Sequence, residues 1–267
     1  MFRKILIVFI IIALTGCTDV KKTSYITGPI GENEPVTRAE ASKMAALNKY
    51  TMSEINSMDR SISFEDTSID KWYDKYINAA YTAGFIAGTD EKHFEPEAYL
   101  TLRQAQFLIN KIKGNDKLKL QYDERDRDKP IPYSVWVAAF ERSMDTSKLK
   151  TDNISVYATK DENRALGNDY MLTSLGLTYS DDTDNTQYRN KNISAVIRDN
   201  VIVAVKAVNE SMAVYDNVEV TDRNDNSITV RLSGGTRKFS LENNSFNVGD
   251  RVNIIFNTDG TYEVRNT

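Results

Sequence analysis

The hydrophobic pattern of this chain changes period once, and that change bounds what it can fold into. From Val36 to about Ile112 apolar residues recur at helical spacing, and from Ile154 onward they occupy every second position. A period of 3.6 lays one face of a helix on a core, a period of 2 lays one face of a strand there, and a segment written for one does not settle as the other. The expected fold class is therefore α+β, with a helical module first and a mainly antiparallel β domain after it. At 267 residues the chain has room for two modest domains.

The second half reads as a series of hairpins. Ile193, Ala195 and Ile197 lead into Asp199-Asn200, and Val201, Val203 and Val205 follow. Val218 and Val220 precede the polar stretch Asp222 to Asn226, after which Ile228, Val230 and Leu232 return. Gly234-Gly235 turns the chain toward Phe239 and Leu241, and Phe246 to Val252 reads as a turn presenting a new strand. Val252, Ile254 and Phe256 then run into Asp259-Gly260 and out through Tyr262 and Val264. Asp-Gly between alternating segments is the strongest short-range hairpin signal. Residues 151–267 are expected to form one or two small barrels. Residues 116–150 open with the charge cluster Asp123 to Asp128 and the turn Lys129-Pro130-Ile131-Pro132. A short amphipathic helix follows, with Trp136, Val137 and Phe140 on one face, so this stretch is expected to be a charged linker carrying a short helix.

The chain begins Met1-Phe2-Arg3-Lys4, continues through an apolar run from Ile5 to Leu14, and reaches Leu14-Thr15-Gly16-Cys17. A basic start and small residues after an apolar run shorter than the roughly 20 needed to span a bilayer make a secretory signal over residues 1–16. Leu14-Thr15-Gly16-Cys17 resembles a bacterial lipobox. The resemblance implies cleavage before Cys17, a diacylglyceryl thioether on its sulfur, and a place on the outer face of a bacterial cytoplasmic membrane. Cys17 is the only cysteine, so no disulfide competes for it and the domains rely on their own cores. Residues 17–35, polar and holding Gly28, Pro29, Gly31 and Pro35, are expected to be a tether. Of 34 basic residues the signal removes Arg3 and Lys4, leaving 32 against 38 acidic, or net −6. That balance argues against a nucleic-acid partner, which calls for a basic face.

The most specific pattern lies at residues 63–112. It reads Phe64-x-Asp66, Trp72, Tyr76-Ile77, Ala80, Gly84-x-Ile86-x-Gly88, Phe94-x-Pro96 and Leu100-Thr101 before a helix; upstream stands Pro35-Val36-Thr37-Arg38-Ala39-Glu40. Thr37-x-x-Glu40 and Thr101-x-x-Gln104 are capping boxes, and Gly84 fits a helix end. The order and spacing resemble the S-layer homology motif, and Gly31 to Tyr50 resembles the second half of a preceding copy. The helical module, 36–115, would then hold about one and a half motifs, with a third surviving only as a remnant at Pro132 to Phe140. The resemblance implies helix–loop–helix units that bind secondary cell-wall polysaccharide, often carrying a pyruvylated sugar. It assigns ligand contacts to Arg38, Asp66, Trp72, Gly84 and Gly88. The chemistry is consistent: a guanidinium matches a carboxylate bidentately, an indole face stacks on a sugar ring, and glycine lets backbone approach closely. Leu102 stands where the family has Arg, and Gln104 where it has Glu; Arg103 lies one residue on, about 100° round the helix. That groove is expected to lack its main ligand contact. An incomplete set of motifs also raises the expectation of a homo-oligomer that supplies the missing walls.

Little else suggests chemistry. His93 is the only histidine and sits in a polar loop, where a surface imidazole without a role is expected. No nucleophile–base triad and no phosphate loop is written in the sequence. Asp181, Asp182 and Asp184 invite calcium, but the central Gly and distal Glu of the calcium-loop template are missing, so neither metal nor cofactor is expected. The expected protein is a lipid-anchored, non-catalytic surface molecule that tethers or organises the envelope by binding wall polysaccharide. The alternative is a module that binds another envelope protein or a small ligand, with the helical fold as scaffold; an enzyme acting on wall polymer is the third reading.

Overall fold

Thr37, Thr51 and Thr101 each accept the backbone N–H three residues on, while Glu40, Glu54 and Gln104 reach back to the threonine's own N–H. Each such box contributes about 1 kcal/mol. They fix the starts of α1 (Arg38–Lys49), α2 (Met52–Ser57) and, after α3 (Asp74–Thr82), α4 (Leu102–Lys113). A fifth helix, α5 (Tyr133–Ser143), begins after Pro132 without a side-chain cap. The structure, a computed structural model, describes residues 24–26, 34–114, 118–161, 164–181, 184–232, 235–257 and 261–267. The signal, Cys17, Gly28, Pro29, Gly31, Asp182, Gly234 and Asp259-Gly260 lie outside them. Within the expected tether, β1 (Ser24–Ile26) pairs in parallel with β2 (Leu118–Leu120), so that part is bound to the helical module. No helix among the described residues is long and apolar enough to cross a membrane.

The helical module is built round a closed ring of main-chain hydrogen bonds. Val36 N–H donates to Ile131 O (3.2 Å), Leu100 N–H to Val36 O (2.9 Å), and Ile131 N–H to Leu100 O (2.9 Å). Two residues further on, Arg38 N–H donates to Ala98 O (2.9 Å), Leu102 N–H to Lys129 O (3.0 Å), and Tyr133 N–H to Glu34 O (3.0 Å). The segments 35–37, 99–101 and 130–132 thus bridge one another in turn, and each leads directly into a helix: α1, α4 or α5. This pseudo-threefold frame makes Arg38, Leu102 and Tyr133 equivalent positions. The third copy is therefore present in its central segment and second helix; in place of a first helix it has β2 and a 3-10 turn at Glu124–Asp126. Residues 118–149 complete the helical module rather than link it to the next. Trp136 and Phe140 are fully buried, and Trp136 Nε1–H donates to Met44 Sδ (3.0 Å). The ring also closes within a single chain, without a wall from a second subunit. At its centre lies α1, ten of whose twelve residues are buried, Ala39, Ala41, Ala45 and Ala46 keeping it slim enough to be surrounded.

The alternating half divides in two. β3 (Lys150–Ala158), β4 (Tyr170–Thr173), β5 (Gly176–Tyr179), β6 (Lys191–Arg198) and β7 (Val201–Met212) form a closed barrel in the order β3-β4-β5-β7-β6. Every pairing is antiparallel except the closing one, a single parallel bridge between Tyr179 and Val201. The expected hairpin at Asp199-Asn200 joins β6 to β7, with φ of 49° and 61°, the left-handed pair that a type I′ turn needs. β8 (Val214–Asn224), β9 (Ser227–Leu232), β10 (Gly235–Ser240), β11 (Arg251–Phe256) and β12 (Tyr262–Asn266) make a second sheet, ordered β10-β9-β8-β11-β12. Its edge strands do not pair. The Tyr262 hydroxyl joins them, donating to Ser240 O (2.8 Å) and accepting from Ser240 N–H (2.7 Å). The sheet thus curls over Tyr215, Phe239 and Phe256. One barrel closes, and the second is a curled sheet pinned by one side chain.

The helical module and the barrel share a core. Val196, Val201, Val203 and Ala204 pack in the same cluster as Met44, Leu47, Trp136 and Phe140. Arg198 Nη1 donates to Leu47 O at the end of α1 (2.6 Å). Asp181, after β5, reaches Lys43 of α1 (3.4 Å) and Lys75 of α3 (2.7 Å), and accepts from the hydroxyls of Tyr76 (3.1 Å) and Tyr179 (2.8 Å).

Candidate functional site

Gly84 ends α3 with φ of 72°; its N–H donates to Tyr81 O (2.8 Å) and that of Phe85 to Ala80 O (3.0 Å), the glycine-capped end expected from sequence. The chain then runs back toward α1. At Gly88 a Cβ would lie 2.4 Å from Asp90 O and 2.7 Å from His93 O and the Phe64 ring, so no larger residue fits. The following loop is held by Asp66, whose carboxylate accepts from the N–H groups of Phe94 (2.9 Å) and Glu95 (2.6 Å), with Glu95 itself at φ 56°. Its carbonyls are presented to Arg38. Nε donates to Phe94 O (2.8 Å), Nη2 donates to Ala87 O (3.1 Å), and the guanidinium lies 4.4 Å from the Phe94 ring centre. Burial pushes the Arg38 guanidinium down from its ordinary range, and the nearby carboxylates of Glu95 and Asp66 oppose that.

Arg38 forms one wall of a cleft of about 340 Å³ between α1 and α4. Ser42, Phe85, Ile86, Gly88 and Phe94 share its side, and Arg103, Gln104, Phe107 and Leu108 face it. The lining is mainly apolar with two guanidinium groups. Arg103 is surface-exposed and paired with Asp128 (2.8 Å). Leu102 points inward and is buried in the core. The departure from the family pattern thus leaves a core contact at Leu102 and places a guanidinium, one residue on, in the Arg38 cleft.

Of the five residues singled out as ligand contacts, Arg38 and Gly88 line the cleft. Asp66 and Gly84 shape the loop and helix end behind it. Trp72 is half-buried outside it, packed against Tyr73 (5.6 Å between ring centres) and Tyr76 (6.2 Å). Sequence reasoning missed Phe107. Its signal was legible: α4 buries Leu102, Ala105, Leu108 and Ile109, and Phe107 lies off that stripe, 57% exposed. His93 is exposed beside Asp90 (2.9 Å), whose carboxylate raises the imidazole above its usual range. The aspartates after β5 do not converge: Asp181 turns into the joint between modules, and Asp184 caps Thr186 (3.1 Å). Among the described residues no group of three or more His, Cys, Asp or Glu is placed to hold a metal ion.

No curated protein and no solved structure matches the chain. Residues 63–105 match the family model of the S-layer homology domain, so the loop that seats Arg38 and the start of α4 belong to that domain, and the chain is an S-layer homology domain-containing protein of the cell envelope or surface.

Proposed function

We propose that this protein is a non-catalytic tether, held to the membrane through a lipidated Cys17 and binding secondary cell-wall polysaccharide in the cleft between α1 and α4. The observation that carries the reading is the pair Arg38 and Arg103 flanking an apolar cleft at the S-layer homology domain. A carboxylate on a sugar matches a guanidinium in charge and shape. The sugar's apolar face suits Phe107, the exposed aromatic of the cleft. Arg38 already donates to two carbonyls, so it holds the cleft's shape as well as its charge. For that reason the test uses α4, whose surface residues change without disturbing the ring.

Residues 18–267 are sedimented with purified sacculi, half of them acid-stripped of secondary polymer. Binding to intact walls only is expected. Arg103→Ala and Phe107→Ala should each weaken it about tenfold, the loss of one charge-assisted contact or one well-packed aromatic face. Equal binding to stripped walls, or indifference to both substitutions, would overturn the reading. The second reading, a scaffold for a protein partner, draws on Asp66 and Trp72, whose contacts serve the loop and the core rather than the cleft.

A further inference from the structure

The ring that builds the Arg38 cleft generates another. Because Val36, Leu100 and Ile131 are equivalent, stepping round by one repeat carries Arg38 onto Tyr133 and Gln104 onto Glu40. At that place lies a cleft of about 380 Å³, whose lining includes Glu34, Glu40, Tyr133 and Lys206. It adjoins a further cleft of about 300 Å³ that shares Glu40, Tyr133 and Lys206 and adds Gln187, Tyr188 and Val205. Each lobe is at the small end of ligand pockets, which run from roughly 300 Å³ upward. The outer wall of the Arg38 cleft is the loop of residues 85–94. Here that wall is β7 of the barrel, so the groove belongs to neither module alone.

The chemistry of the two pseudo-equivalent clefts is opposite in sign. Among the described residues, the first has two guanidinium groups and no carboxylate in its lining. The described lining of the second has two carboxylates, Glu34 and Glu40, and one ammonium, Lys206, which Glu141 pairs at 2.7 Å. Such a field disfavours an anion and favours a cation. The Glu40 carboxylate is fixed in place, since Oε2 accepts from Thr37 N–H (2.7 Å) and from its hydroxyl (2.8 Å). Tyr133, half-buried, offers a ring beside it, and Gln187 offers an amide in the adjoining lobe. An aromatic surface edged by fixed polar groups takes the flat face and hydroxyl rim of a pyranose, and the carboxylates select one that carries a positive charge.

We propose that this inter-module groove binds an amino sugar, a hexosamine with a free amine within a glycan, its ring against Tyr133 and its ammonium toward Glu34 and Glu40. The site shares no residue with the Arg38 cleft and stands or falls separately from it. The test is calorimetric titration of the full-length chain in detergent with a β-1,4-linked glucosamine disaccharide and with its N-acetylated counterpart. The amine form is expected to bind and the acetylated form to bind about tenfold more weakly or not at all. Glu34→Gln, at an exposed position, should lower affinity for the amine form about tenfold, and Arg103→Ala in the other cleft should leave it unchanged. Failure of the amine form to bind, equal binding of both sugars, indifference to Glu34→Gln, or loss on Arg103→Ala would each overturn the proposal.

Discussion

Asp181 carries the polar part of the joint between helices and barrel. Burial alone would raise its carboxyl; the ammonium groups of Lys43 and Lys75 outweigh that and, with the Tyr179 hydroxyl, hold it below the usual carboxylate range. A carboxyl depressed in the folded state contributes stability above its unfolded pKa, about 3.9, and loses it as pH falls through the folded value. Asp181→Asn should therefore flatten the acid limb of a urea-denaturation series below about pH 4. Asp181→Ala, which takes the Asp181 carboxylate away from the buried Lys43 and from Lys75, should destabilise by about 3–5 kcal/mol near neutral pH. This residue was legible only in part. Read along the chain, Asp181 is one of a loop cluster with Asp182 and Asp184. The informative signal lay elsewhere, in Lys43, a lysine within a helix of Ala, Met and Leu that buries almost every position. A buried ammonium requires a partner, but sequence does not say from where, and one partner comes from 138 residues away, at position 181.

At the level of elements, what local chemistry dictates was readable and what distant pairing dictates was not. The capping boxes at Thr37 and Thr101, the glycine end of α3 and the hairpin at Asp199-Asn200 all follow from a few adjacent residues. The hairpin gives a direct check. Asn200 sits at φ 61°, which a β-branched residue tolerates poorly; Asn200→Val should cost about 1–2 kcal/mol in equilibrium unfolding, and Asn200→Gly should be neutral or mildly stabilising. The third repeat read only as a remnant at Pro132 to Phe140 because its signature is gone: Tyr133 replaces the arginine, Pro132 caps nothing through a side chain, and β2 with a 3-10 turn replaces the first helix. What survives is the main-chain ring, which leaves no mark on residue identity beyond the buried Val36, Leu100 and Ile131. The barrel's closing bridge, one parallel pair at Tyr179 and Val201, is likewise invisible to any pattern of alternation.

Over the whole molecule, the shared core and the Asp181 and Arg198 contacts make helices and barrel one cooperative unit rather than two beads on a string. Calorimetry of the intact protein should show these two parts melting together, and the double substitution Asp181→Ala, Arg198→Ala should split or broaden that transition. Two separate transitions in the unaltered protein would contradict the shared core. The central helix adds a consequence in time. Chains are made from the amino end, so α1 is synthesised well before several of the surfaces that cover it. Its ring partners come with residues 99–101 and 130–132, and the last of its apolar neighbours comes with Ala204 on β7. This helix is thus enclosed well after it is made, and its folding waits on long-range contacts that form slowly. A chain cut short before β7 would leave the side of α1 that meets the barrel uncovered, exposed to proteases and to other nascent chains.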